Sequence, residues 1–306
     1  MNKKNKNHYE RIYLEDENGN ITFYGYKKEN ETIELKRTYS EKQIRRAKCI
    51  TKMETYARQL GGFVTMCYVK DELLFNKLGI SQQNIARLIY TSTYIDYNDR
   101  EENVLIKKRI SEGKKYIDRK YLKKILKLST KTFNSFMDEM IDKQLLFEAN
   151  GKIYVSTEYF SKGKCRFKDG TYTRLYINTT KSLYENCTVR QHKQLSYVYQ
   201  LLPFLNFDTN ILCSNPQETH IGDLNKLSLD DICDILGVDK HNKRKLENDL
   251  LNFYITLDDN KYHLFSEVMI RVSGGWKNYF VINPAVIFKG SDSDKMKEMI
   301  NSLFFE

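Results

Sequence analysis

Residues 107–131 read KKRISEGKKYIDRKYLKKILKLSTK. Eleven lysines and arginines stand there against two acids, Glu112 and Asp118, a net of +9 in a chain whose whole excess is +10. The charge is phased. The run ends inside YLKKILKLSTKTFNSFMDEMI (121–141), where apolar Tyr121, Leu122, Ile125 and Leu126 predict one helix and Lys127-Leu128-Ser129 a turn. Phe133, Phe136, Met137, Met140 and Ile141 then fall on one stripe at the helical period, and Ser129 stands where an N-cap belongs. A basic helix-turn-helix is suited to meeting phosphate in a groove of DNA. A solvated charge run on an ordinary surface helix is the competing reading.

Working outward, Ser81 is placed to cap a helix over roughly residues 82–95, with Ile85, Leu88 and Ile89 on one face. An extended basic connector, VLIKKRISEGKKYI (104–117), leads from it to the helix-turn-helix. Beyond it, LLFEANGKIYVST (145–157) alternates around Ala149-Asn150-Gly151-Lys152, a hairpin signal. Helix, strand, helix, helix and hairpin is the winged-helix order.

The order recurs. QHKQLSYVYQLLPFLNF (191–207) reads as a helix broken near Pro203, and TNILCSN (209–215) as a short strand. SLDDICDILG (228–237) follows as a helix capped by Ser228 and ended by Gly237, and then KRKLENDLLNF (243–253) as another. Strands YHLFSEVMIRV and NYFVINPAVIF flank the tip Ser273-Gly274-Gly275-Trp276-Lys277. Ahead of both units, IYL and ITFYGY flank Glu17-Asn18-Gly19-Asn20 as a hairpin. Ser40 is placed to cap a helix running to Gly61-Gly62, FVTMCYV reads as a strand, and DELLFNKLGIS as a helix closed by Gly79. The expected fold class is α+β, helix-dominated, with tandem winged-helix domains. Residues 1–62 form an N-terminal hairpin and helix, 63–170 the first winged-helix domain, and 171–306 the second with a short C-terminal helix.

Composition narrows the chemistry. The 306 residues carry 29% charged and 41% hydrophobic side chains, an ordinary soluble profile, and no apolar run approaches a membrane span. The first twenty residues lack an apolar h-region, so no secretory signal is expected. Cys49, Cys67, Cys165, Cys187, Cys213 and Cys233 show no CxxC spacing. Cys187/His192, Cys213/His220 and Cys233/His241 are too irregularly spaced to argue for zinc; free thiols in a reducing cytoplasm fit better. No cofactor or metal is expected. Neither GxxxxGK[ST], HExxH nor GxSxG occurs, and the histidines form no His-x-His pair, so a non-enzyme is expected. Asp96, Asp99, Glu101 and Glu102 read as a solvated loop.

A helix in a major groove reads bases from its N-terminal turn. Thr130, Lys131, Thr132, Asn134 and Ser135 are therefore the candidate base-reading residues, simple helix capping being the alternative. Lys123, Lys124 and Lys127, with Lys114, Lys115, Arg119 and Lys120 before them, are candidates for phosphate, where they set position and not sequence. Lys152 at the hairpin tip, with Lys162, Lys164 and Arg166 after it, extends the set. In the second unit Lys243, Arg244 and Lys245, preceded by Lys240, His241 and Asn242, open a helix, and Lys277 stands on the hairpin. Asp230, Asp231, Asp234 and Asp239 make this unit less basic. Trp276 is expected to pack under its hairpin more than to touch DNA.

At YIDYND (94–99), STKTFNSFMDEMIDKQLLFEANGKIYVST (129–157) and above all YFVINPAVIFKG (279–290), the chain resembles winged-helix replication initiators and DNA-binding proteins of plasmids and phages from low-GC Gram-positive bacteria. In those families a strand running into Ile-Asn-Pro and a basic-Gly ending closes the wing, here Ile282, Asn283, Pro284, Lys289 and Gly290. The resemblance implies sequence-specific binding of double-stranded DNA and replication initiation at origin repeats. A homodimer and recruited host replication proteins are compatible with it. A transcriptional regulator using the same helices, a dimerising protein that binds an acidic partner, and a single-strand or RNA binder remain as alternatives.

Overall fold

The computed structural model describes residues 9–15, 21–28, 48, 52, 54–68, 74–97, 103–110, 113–163, 171–257, 260–272, 275–288, 290 and 293–304. It is mixed α/β, with helix outweighing strand and the strands gathered in small antiparallel sheets. Residues 1–47 and 48–306 form two compact units.

The first unit holds a hairpin, β1 (Tyr9–Glu15) against β2 (Ile21–Lys28), its register shifted by a bulge between Ile12 and Tyr13. The expected Asn-Gly turn and the Ser40 cap lie outside the described residues.

The second unit is organised on a four-stranded sheet. Helix α1, described over 54–59, ends at Gly61 and Gly62, whose positive φ angles (77° and 82°) let the Gly62 amide reach back to the Ala57 carbonyl at 2.7 Å. That turn delivers the chain into β3 (Phe63–Tyr68), which pairs with β9 (Thr171–Tyr176) and β8 (Phe160–Ser161). β14 (Ile287–Phe288) pairs with β9 from the other side. One sheet thus takes strands from both sides of residue 170, and one apolar cluster runs from Ala57 to Ile300.

Around it, the chain between β3 and β8 runs α2 (Leu74–Lys77), α3 (Gln82–Ser92), β4 (Ile106–Ile110), β5 (Gly113–Tyr116), α4 (Arg119–Ile125), α5 (Thr130–Asp142), β6 (Leu146–Ala149) and β7 (Lys152–Val155). β6 and β7 close on Asn150 and Gly151, both at positive φ, the primed turn that an Asn-Gly pair favours. Residues 103–105 lie against β7: Leu105 donates to Ile153 and Val155 to Asn103, at 2.9 and 3.0 Å.

After β9 come α6 (Ile177–Asn186), α7 (His192–Gln200), α8 (Leu229–Leu236) and α9 (Lys243–Leu251). Next are the hairpins β10–β11 (Tyr254–Leu257, Asn260–His263) and β12–β13 (Phe265–Val272, Gly275–Ile282), then β14 and α10 (Ser293–Leu303). Residues 211–212 lie against β13, with Ile211 bridging Val281 and Leu212 donating to Phe280 at 2.9 Å. Met296, Ile300 and Phe304 are buried, so α10 is docked. Among the described residues no helix is long and apolar enough to cross a membrane.

Several expectations change. The connector 104–117 is not simply extended; it folds into the β4–β5 hairpin. The strand expected over 262–272 is divided, because Tyr262 and His263 pair with β10 while Phe265 onward pairs with β13. β9 and α6 have no counterpart in the sequence reading. Ser81 precedes α3 but its side chain makes no cap; its hydroxyl and amide both donate to Glu139. Ser129 does cap α5, accepting from the Thr132 amide at 3.3 Å, and Ser228 forms a capping box with Asp231. The strand ending at Ile282-Asn283-Pro284 has a structural role: buried Asn283 donates to the His263 carbonyl and accepts from the Ala285 amide, both at 2.9 Å, turning β13 into β14.

Candidate nucleic-acid interface

Burial orients α5. Phe133, Phe136, Met137 and Met140 are buried, and each such side chain contributes about 1.5–3 kcal/mol. Ile141, assigned to the same stripe from the sequence, is 40% exposed instead. The opposite face presents Thr130, Lys131, Asn134 and Ser135 to solvent in its first turns, and Asp138 and Asp142 further along. The helix is therefore cationic and hydroxyl-rich at its N-terminal end and acidic at its C-terminal end. Thr132 is half-buried, its hydroxyl 2.9 Å from that of Ser129, so it belongs to the cap.

Behind α5 lies a polar chain. Glu139 accepts from the Ser81 amide at 2.5 Å and from the Asn84 side chain at 2.6 Å. Asn84 accepts from the Arg87 guanidinium at 2.5 Å, and Arg87 Nε donates to His192 Nδ1 at 3.3 Å. Burial lowers the Arg87 pKa, against the pull of Tyr184 and Glu139. Burial, then the charges of Arg87 and Lys127, pushes His192 down to about 4, so the ring is neutral near pH 7. His192 stacks on Tyr184, which stacks on Tyr90 and donates to the Leu126 carbonyl at 3.0 Å. Residues from α6 and α7 thereby fix the end of α4 and the turn into α5. Lys127 completes that turn at φ 55°, a left-handed position with no glycine, and its ammonium reaches the Glu185 carbonyl at 3.4 Å.

The expected phosphate contacts divide by partner. Lys115, Lys120 and Lys124 are exposed and make no ion pair among the described residues. Lys123 is half-buried and donates to Thr130 Oγ1 at 3.1 Å. Arg119 is paired with Glu148 at 3.0 Å. Lys152 stands 3.9 Å over the Tyr116 ring. Lys114 is half-buried and 2.7 Å from Asp96, which corrects the reading of Asp96 as a solvated loop residue: its side chain is 1% exposed. Lys162 donates to the Ile95 carbonyl at 2.7 Å. Asp99, Glu101, Glu102, Lys164 and Arg166 lie outside the described residues. Between the first turn of α4 and the tip of β6–β7 is an open groove of about 440 Å³, lined by Arg119, Lys120 and Lys152 but also by Asp118 and Glu148.

The other basic helix start is muted. Lys243 pairs with Asp230 at 2.9 Å and Lys240 with Asp234 at 2.8 Å, so α8 neutralises the opening of α9. Arg244 and Lys245 remain exposed. Lys277 sits on β13 opposite Ile270 and Trp276 opposite Arg271; their side chains lie outside what is described.

Sequence reasoning missed the β4–β5 hairpin, although two basic runs mirrored about Ser111-Glu112-Gly113 were a signal for it. It also missed Lys107, whose ammonium lies 3.9 Å over Tyr121. Cys213 and Cys233 are buried free thiols, and among the described residues no group of histidines, cysteines and acids is placed to hold a metal. No protein-family model, no curated protein and no solved structure matches this chain.

Proposed function

We propose that α3, residues 103–105, α4, α5 and β6–β7 form a winged helix that docks α5 in the major groove of double-stranded DNA. The observation that carries this reading is the division of α5. Its buried stripe and Glu139 hold the rear, while Thr130, Lys131, Asn134 and Ser135 project from the first turns, the part of a recognition helix that reaches base edges. Asn134 has the amide to bond adenine bidentately, and Lys131 can donate to guanine. Lys120 and Lys124 on α4 supply sequence-independent attraction to phosphate. The third strand added to each hairpin, by 103–105 on β7 and by 211–212 on β13, supports a second winged helix in α7–α9 with β12–β13. Its paired lysines suit weaker contact with DNA.

Taken with the resemblance of YFVINPAVIFKG and its companion segments, the function proposed is initiation of plasmid or phage replication at repeated origin sites. Binding to duplex DNA flanking the protein's own gene is expected to exceed binding to random duplex and to weaken with salt, with a log–log slope on the order of −5. Equal affinity for both duplexes sinks the sequence-specific reading. A plasmid carrying this gene and its flanking DNA as sole replication functions is expected to replicate; failure to replicate, with specific binding intact, favours a transcriptional regulator.

A further inference from the structure

We propose that the β4–β5 hairpin is a second DNA-contacting element, a ribbon whose outer face meets backbone phosphates beside the groove entered by α5. The proposal rests on the DNA-binding reading of α5 and adds to it a separate contact surface.

Along β5 the burial alternates: Gly113 and Lys115 are exposed, Lys114 and Tyr116 half-buried. The ribbon is anchored at three points. Lys114 is 2.7 Å from the buried Asp96 carboxylate, in the loop after α3. The Tyr116 ring carries the Lys152 ammonium at 3.9 Å, joining the ribbon to the β6–β7 hairpin. Lys107, at the base of β4, lies over Tyr121 of α4 at 3.9 Å. The ribbon is thus fixed to the elements that surround α5.

The register opposes like charges. Lys108 pairs with Lys115, and Arg109 with Lys114. Residues of like charge directly opposite each other are unfavourable in a two-stranded ribbon, and a neighbouring anion offsets that cost. Asp96 supplies a carboxylate on the inner side. For Lys115 no acid is paired among the described residues, and a phosphodiester row supplies that anion on the outer side. Lys114 and Lys115, adjacent in sequence and alike in charge, therefore have different roles: Lys114 positions the ribbon, Lys115 contacts DNA.

The test measures binding of the full chain to a random-sequence duplex and to a duplex cut from the DNA flanking its gene, across a salt series. Lys115→Ala is expected to reduce the magnitude of the log–log slope by about one on both duplexes. The ratio of the two affinities stays at the wild-type value, because phosphate contacts carry no sequence information. Asp96→Asn combined with Lys114→Gln, which keeps a neutral tie, leaves the slope unchanged. If Lys115→Ala keeps the wild-type slope while the wild-type protein binds, the ribbon proposal falls alone. A lower slope in the Asp96/Lys114 pair variant with none in Lys115→Ala also overturns it. If the wild-type protein shows no salt-dependent duplex binding, the DNA reading itself falls.

Discussion

The side-chain amide of Asn84, on α3, donates to the Glu139 carboxylate on the rear of α5 across 2.6 Å. Apolar packing alone lets a helix roll by some degrees at little cost, since any face of Phe or Met makes contacts. A carboxylate that accepts from Ser81 and Asn84 tolerates much less rotation. Glu139 therefore narrows the rotation that the buried stripe sets, and with it the direction in which Lys131 and Asn134 point.

Glu139→Ala leaves the Ser81 and Asn84 donors without their acceptor, at a cost of about 2 kcal/mol. Urea denaturation is expected to show a lower midpoint at unchanged m-value. Preference for the flanking duplex is expected to drop while affinity for random duplex stays. A variant as stable and selective as wild type removes the positioning role.

His192 makes stability depend on acid. Its folded-state pKa, about 4, lies below the ordinary 6.5, so the unfolded chain takes up the proton first as pH falls. Stability contributed by the neutral ring is complete above pH 6.5 and lost down to about 4, by up to about 3 kcal/mol. His192→Gln, which keeps an acceptor for Arg87 but does not titrate, is expected to flatten the pH dependence over that window. Parallel curves for the two proteins contradict this assignment.

Lys131→Ala and Asn134→Ala are each expected to reduce the preference for flanking over random duplex by about 1–3 kcal/mol, the worth of a good base contact. Lys124→Ala is expected to weaken both duplexes alike. Fluorescence anisotropy titrations separate the two patterns, and uniform weakening by all three variants confines α5 to phosphate contact.

Phe136→Ala is expected to cost about 3–5 kcal/mol, since its ring is fully buried. Ile141→Ala, at a position 40% exposed, is expected to cost under about 1 kcal/mol. Thermal melting of the two variants checks whether the stripe on α5 ends at Met140.

Much of the region around α5 was legible. The period-3.6 stripe of α5, its Ser129 cap and the Asn150-Gly151 turn are local signals, each decided within a few residues. Ile141 was misassigned because periodicity gives a direction on the helix but not the edge of the surface that covers it. The β4–β5 hairpin was obscured because lysines and arginines mask strand alternation. β9 and α6 gave no local signal, and β14, read as one strand with β13, instead closes on β9 more than a hundred residues away.

The sequence by itself determined α3, α4, α5, α8 and α9, the Ser129 and Ser228 caps, the Asn150-Gly151 turn and the concentration of positive charge, because propensity, capping and hydrophobic period act over one or two turns of chain. Tertiary structure alone decided which cations are available. Lys114 and Lys115 are adjacent and of one type, and Lys243 and Lys245 lie two apart, yet Lys114 and Lys243 meet carboxylates brought to them by the loop after α3 and by α8 while Lys115 and Lys245 face solvent. Ion pairing is strongest at contact and is screened beyond about 10 Å, so the partner, not the residue type, sets what each charge can bind.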